Sequence, residues 1–97
     1  MALNQYNFDA LKNEAENLVF AELERQLGEY KNQICLCNEC VVDMAGLALN
    51  VVKPLYRVSL LGTLYASKAM DEKEYAASIK KAVTSAIEKV RRNPSHE

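Results

Sequence analysis

All three cysteines of this 97-residue chain lie in one six-residue stretch, CLCNEC, as Cys35, Cys37 and Cys40. Thiolate sulfur is a soft ligand, which prefers zinc or an iron–sulfur centre to hard cations such as calcium or magnesium. Zinc in proteins normally takes four ligands, so three cysteines leave one position to another group. The spacing therefore predicts a metal centre, with zinc as the expected ion, whose fourth ligand is not a further cysteine of the same chain.

Several groups are candidates for the fourth ligand. Asp43 follows Cys40 by three residues, a spacing that places two residues near one another on a helix surface. His96, a water molecule or a group from a second chain are the other candidates. Asp43 has an equally good structural explanation, because an acid in the first turn suits the helix dipole and can pair with Lys53 or Arg57.

The cysteines also admit explanations without a permanent metal. Free cysteines are often small buried hydrophobic residues, two of these three can form a reversible disulfide, and metal binding can be incidental to purification. An odd number of cysteines fits a reducing compartment better than a disulfide framework. The opening residues lack the charged start and apolar run of a secretory signal, and no apolar stretch is long enough to span a bilayer. We therefore expect a cytoplasmic protein that does not enter a membrane.

Three amphipathic segments predict an all-α fold, a small domain of three to four helices that spans residues 1–97 as a single unit. Apolar residues recur at helical spacing from residue 8 to 30, with Asn7 as the cap, and from residue 38 to 52. A third helix follows the cap residue Asp71 and ends before the Asn93–Pro94 pair. The chain between them, residues 53–70, is predicted either as a short helix at 59–66 or as an extended piece from Tyr56 to Leu60.

The predicted core is small, which has a consequence for assembly. Its largest members would be Phe8, Leu23, Leu49, Ile79 and Ile87. A core of this size gains from metal binding or from dimerisation. Together with the broad apolar face of the second helix and the spare aromatic residues Phe20 and Tyr65, it leads us to expect a homodimer.

The charges are unevenly distributed along the chain. Residues 1–48 carry a net charge of −5 and residues 49–97 a net charge of +4, for a total of −1. The two halves can simply attract each other, or the basic half can hold an anionic partner. Because the chain as a whole is not basic, we do not expect it to bind duplex nucleic acid.

The basic half contains a set of residues suited to a small anionic nucleotide. Lys53, Tyr56 and Arg57 lie in the segment KPLYR. Arginine binds phosphate and guanine in a fork, and tyrosine offers a flat surface for a base. We expect Arg57 to make the principal contact, Tyr56 or Tyr65 to stack, and Lys53 or Arg91 to lie near phosphate.

The sequence offers little support for catalysis. Its only histidine, His96, is next to last, and Gly28, Gly46 and Gly62 are isolated, without a phosphate-binding loop or a nucleophile elbow. We therefore expect a binding protein and not an enzyme.

The stretch CLCNECVVDMAGLALNVVKPLY resembles the late competence protein ComFB family, whose pattern is C-x-C-x-x-C, an Asp three residues later, then Ala-Leu-Asn and Pro-x-Tyr. Here the pattern falls on Cys35, Cys37, Cys40, Asp43, Ala48, Leu49, Asn50, Pro54 and Tyr56. The resemblance implies a small, mainly helical homodimer with cysteine-bound zinc. For at least some members it also implies a cytosolic receptor for cyclic dinucleotides, linked to competence, motility or biofilm behaviour.

Two functional hypotheses follow from the residues and the resemblance together. The first is a regulatory receptor that binds cyclic di-GMP or cyclic di-AMP and signals to a downstream protein. The alternative is a structural or interaction module, with a structural or redox-responsive zinc site and no nucleotide ligand, whose basic half meets an acidic partner. Some relatives carry a further cysteine that could complete the zinc site, and this sequence has none.

Overall fold

Three α-helices dominate the part of the chain that the computed structural model describes, which is residues 3–31, 33–57 and 72–94. They are α1 (Ala15–Tyr30), α2 (Asn38–Val51) and α3 (Glu72–Arg92). Two 3-10 turns, Leu3–Gln5 and Phe8–Ala10, precede α1, and the two-residue strands β1 (Lys12–Asn13) and β2 (Tyr56–Arg57) form a small antiparallel ribbon. The prediction of a small all-α domain is confirmed.

The three helices pack against one another around one core, in which α2 and α3 make the most extensive contact. Leu23, Ile79 and Ile87 are buried there as predicted, and Leu49 is half-buried against the core. Cys40 belongs to this core as well, because only 1% of its surface is exposed. One thiol of the cysteine cluster is therefore built into the packing between the helices.

The first helix begins seven residues later than its apolar periodicity predicts. Residues 8–10 form only a 3-10 turn, and Phe8, predicted to be in the core, is 56% exposed. Asn7 precedes that turn without a capping hydrogen bond from its side chain. The physical reason lies at Asn13, whose Oδ1 accepts a hydrogen bond from the backbone N–H of Ala15 at 3.2 Å and so fixes the start of α1.

Asn13 also ties the start of α1 to the segment that follows α2. Its Oδ1 accepts a second hydrogen bond, from the backbone N–H of Leu55 at 2.8 Å. The N–H of Glu14 donates in turn to the Leu55 carbonyl, also at 2.8 Å. In the ribbon, Lys12 pairs with Arg57 and Asn13 pairs with Tyr56. The chain before α1 is therefore held in a strand and cannot extend the helix backwards.

The second and third helices agree closely with their predicted bounds. Helix α2 ends at Val51, one residue before the predicted end, because Val52 has the extended conformation φ −83°, ψ 137°. The Tyr75 hydroxyl of α3 donates a hydrogen bond of 2.7 Å to the carbonyl oxygen of Lys53. Residues 53–57 are thus fixed on one side by α3 and on the other by Asn13.

One buried polar side chain lies between α1 and α3. The amide of Gln26 donates to Glu22 at 2.7 Å and to the carbonyl of Lys80 at 3.2 Å, and its oxygen accepts from Thr84 at 3.0 Å. These contacts satisfy a group that would otherwise destabilise the core. A hydrogen bond from Arg25 holds the pKa of the Glu22 carboxyl below its ordinary value of 4.5.

Some predictions fall outside the described residues. They are the short helix at 59–66, Tyr65, the cap residue Asp71 and the terminal His96. Strand β2 agrees with the extended alternative for the beginning of residues 53–70. Within the described ranges, no helix is both long and apolar enough to cross a membrane.

Candidate metal centre

The cysteine cluster forms where the loop from α1 turns into α2. Cys35 lies in the loop and is exposed, Cys37 is half-buried at the N-cap of α2, and Cys40 is buried in the first turn. Cys37 and Cys40 are three residues apart at the start of a helix and are therefore neighbours. The backbone of Cys37 is extended, φ −70° and ψ 162°, and brings the loop that carries Cys35 alongside these two residues. The three Sγ atoms all lie within 4.8 Å of one another.

This arrangement fits a thiolate-bound metal ion. Sulfurs bound to one tetrahedral zinc at about 2.3 Å would be about 3.8 Å apart, so the observed group needs only a small closure around an ion. The N-terminus of α2 is the positive end of the helix dipole, which favours the negative charge of thiolates. The graded exposure, from the buried Cys40 to the exposed Cys35, leaves the cluster open to ions from solution.

Asp43 is not part of the compact group of potential ligands. Among the described residues, the compact group of potential ligand atoms consists of the three cysteine sulfurs and does not include the Asp43 carboxylate. The buried side of α2 continues from Cys40 to Met44, four residues on, while Asp43 lies on the exposed side. The sequence spacing of three is close to one helical turn, but the side chain points about 60° away from the Cys40 direction.

A cavity of about 280 Å³ lies directly beside the cluster. It is lined by residues from three segments, which are Gln33, Ile34 and Cys35 of the loop, Cys40 and Met44 of α2, and Val90, Arg91 and Pro94 at the end of α3. Nη1 of Arg91 donates to the Glu88 carboxylate at 3.2 Å. Arg91, which the sequence suggested for a nucleotide phosphate, therefore lies beside the cysteines.

Three other predicted ligand residues, Lys53, Tyr56 and Arg57, lie beyond the opposite end of α2. Lys53 and Tyr56 are exposed there, Tyr56 to 52%, and Arg57 follows in β2. A helix of 14 residues is about 21 Å long and separates this segment from Arg91. A ligand that contacts both ends would have to span α2 or lie between two copies of the chain.

Lys12 is a candidate that sequence reasoning missed. The register of the ribbon places its backbone opposite that of Arg57, which adds a third cation to Lys53 and Arg57 of the segment. The residues are 45 positions apart in the sequence, and a pairing of two-residue strands leaves no periodicity from which it could be predicted.

A family model described as late competence development protein ComFB matches residues 12–94 of the chain. The chain belongs to the ComFB family. The ComFB match begins in β1 and ends at Pro94, so it covers the ribbon, all three helices and the cysteine cluster. The two 3-10 turns precede it. No curated protein matches this ComFB chain.

Proposed function

We propose that this chain is a small regulatory binding protein of the cytoplasm, with zinc held by three cysteines and a cyclic dinucleotide as its ligand. Two separate places on the molecule support the two parts of this proposal. The cysteine cluster supports the metal, and the anchored segment 53–57 with its cations supports the nucleotide. The protein acts by binding and not by catalysis.

The metal would be held by Cys35, Cys37 and Cys40, with a fourth ligand from outside this set. The ion would tie the loop after α1 to the first turn of α2, where Cys40 is packed into the core. A metal bound in this way contributes directly to the free energy of folding. The exposed position of Cys35 makes the same centre accessible to oxidants, so a redox-responsive role is compatible with it.

The nucleotide site would lie on the segment 53–57, and the observation that carries this proposal is the set of hydrogen bonds that hold its backbone. The hydroxyl of Tyr75 fixes the carbonyl of Lys53, and Asn13 and Glu14 hold both backbone groups of Leu55. A fixed backbone lowers the entropy lost on binding. Tyr56 is exposed for stacking, and the cationic residues Lys12, Lys53 and Arg57 all belong to or pair with this segment.

Calorimetry with cyclic di-GMP and with cyclic di-AMP tests the nucleotide proposal. One of the two should bind the parent protein, and Arg57→Ala should weaken binding by about 1–3 kcal/mol, as expected for a lost charge-assisted hydrogen bond. Arg25→Ala is the matched control, because Arg25 is occupied by Glu22 and Glu29 on the acidic helix α1. It should bind like the parent.

Two results would count against this site. Equal affinities of the Arg57→Ala and Arg25→Ala variants would move the ligand away from segment 53–57. Absence of heat with either dinucleotide would favour the alternative, an interaction module whose basic half meets an acidic partner protein.

A further inference from the structure

The cavity beside the cysteine cluster is lined by cysteines and by a cationic residue. Cys35 and Cys40, two of the three cysteines, line it, and so does Arg91, whose side chain is cationic. Its volume of about 280 Å³ suits a small molecule and is too small for a dinucleotide, since pockets for drug-sized ligands begin near about 300 Å³. This cavity is therefore distinct from the proposed nucleotide site.

Arg91 is placed to hold an anion in this space. Its Nη1 donates to Glu88 at 3.2 Å, and a guanidinium has five N–H donors, so one ion pair leaves donors for a second acceptor. Glu88 restrains the side chain and thereby lowers the entropy that a ligand would have to overcome. The neighbouring Arg92 pairs with the same carboxylate at 3.7 Å but does not line the cavity.

Charge balance indicates what the cavity would accept. Three thiolates around a divalent ion carry a net charge of −1, and the zinc ion still needs a fourth ligand. Carboxylate oxygen is an ordinary zinc ligand, and arginine binds a carboxylate through two parallel hydrogen bonds. The cation of Arg91 would offset the negative charge that such a ligand adds. Without the metal, the carboxylate would have no ion to bind.

We propose that this cavity binds a small carboxylate, which Arg91 holds in its fork and which supplies the fourth ligand to the metal on Cys35, Cys37 and Cys40. The proposal rests on the metal centre of the proposed function and adds a second ligand site to the protein. Metal occupancy and occupancy of the cavity are then coupled, since the carboxylate binds only to the metal-loaded form.

Cobalt substitution with acetate as the probe tests this proposal. Cobalt(II) bound by thiolates absorbs visible light, and a change of its fourth ligand shifts that absorption. Acetate titration should shift the spectrum of the parent protein. Arg91→Gln should weaken acetate binding by about 10- to 100-fold, because hydrogen bonds to charged groups contribute on the order of 1.5–3 kcal/mol. Arg91→Lys, which keeps the charge but loses the fork, should show an intermediate loss.

Arg92→Gln is the matched control and should bind acetate within about twofold of the parent, because Arg92 does not line the cavity.

A cobalt spectrum that does not respond to acetate would overturn the proposal, and so would equal acetate affinity in the parent and in Arg91→Gln. A spectrum that changes in His96→Ala before any acetate is added would assign the fourth ligand to the chain itself and would also overturn it. Failure to load metal would contradict the proposed function, whereas a loaded protein indifferent to acetate would contradict this inference alone.

Discussion

At the scale of single residues, Asn13 decides where the first helix begins. One carboxamide oxygen accepts the N–H of Ala15, at the start of α1, and the N–H of Leu55, at the segment proposed to bind the nucleotide. The sequence gives no sign of this role, because the two donors are 40 residues apart. Asn7 is an equally good cap by residue type but precedes only a 3-10 turn.

Asn13→Ala should therefore destabilise the protein by about 1–2 kcal/mol, since it leaves the N–H groups of Ala15 and Leu55 without their side-chain acceptor. Asn17→Ala is the control. Asn17 is exposed on α1 with one long hydrogen bond of 3.4 Å to Glu14, and its loss should change the stability by no more than about 0.5 kcal/mol. Urea denaturation measures both. Equal stability of the two variants would show that Asn13 does not fix the start of α1.

The three candidate metal ligands could be predicted from the sequence. The residues that surround them in the structure could not. Three cysteines within six positions indicate a metal site from spacing alone. Arg91 is 51 positions from Cys40, and only the packing of α3 against α2 reveals that both line one cavity. The structure also places Asp43 on the exposed side of α2 and outside the compact group of cysteines.

At the scale of elements, the sequence predicted the helices best where they are packed along their length. Helix α3 repeats buried residues at Ile79, Val83, Ile87 and Val90, and it is found as predicted. The start of helix one was wrong because Phe8 and Leu11 follow the helical period but are exposed. Apolar periodicity marks a face that can be buried, and tertiary contacts determine whether it is.

Gly28 offers a test of helix α1 itself. A Cβ added at this position would meet no atom within 4 Å, and Gly28 does not have a positive φ. Gly28→Ala should therefore stabilise the protein by about 0.5–1 kcal/mol, because alanine loses less backbone entropy in a helix.

The exposed Ala21 of the same helix provides the reverse change. Ala21→Gly should destabilise the protein by a similar amount, about 1 kcal/mol, for the same reason. Denaturation midpoints of both variants check the pair. If Gly28→Ala were destabilising, the last turns of α1 would have to contact something beyond the described residues, such as a second chain.

In the whole molecule, the first half of the chain is acidic and the second half is basic. The four ion pairs seen among the described residues each lie within one helix and do not join the two halves. Arg25 pairs with Glu22 and Glu29 within α1, and Arg91 and Arg92 pair with Glu88 within α3. In addition to the hydrogen bond from Arg25, the charge of Lys80 in the second half helps to lower the pKa of the Glu22 carboxyl in the first half. Cationic residues such as Lys53 remain exposed for an anionic ligand.

The exposed apolar side chains lead to a prediction about assembly. Phe20 on α1 is 47% exposed, and Leu18 beside it is 44% exposed. We expect these side chains to be covered in a homodimer, whose mass light scattering should show at micromolar concentration. Phe20→Ser should shift the equilibrium toward single chains. A single-chain mass for the parent protein would contradict the homodimer, and an unchanged mass for the variant would place the interface elsewhere.

The metal part of the proposed function rests on one claim, that Cys35, Cys37 and Cys40 form one metal centre. Elemental analysis of protein purified without added metal tests it most directly, on the parent, Cys35→Ser, Cys37→Ser and Leu36→Ser. Cys35 and Cys37 are suitable because neither is fully buried, unlike Cys40, and Leu36 is an exposed neighbour inside the cluster. The parent and Leu36→Ser should carry one zinc ion per chain, and both cysteine variants should lose it. Equal metal content in the parent and the cysteine variants would contradict the claim.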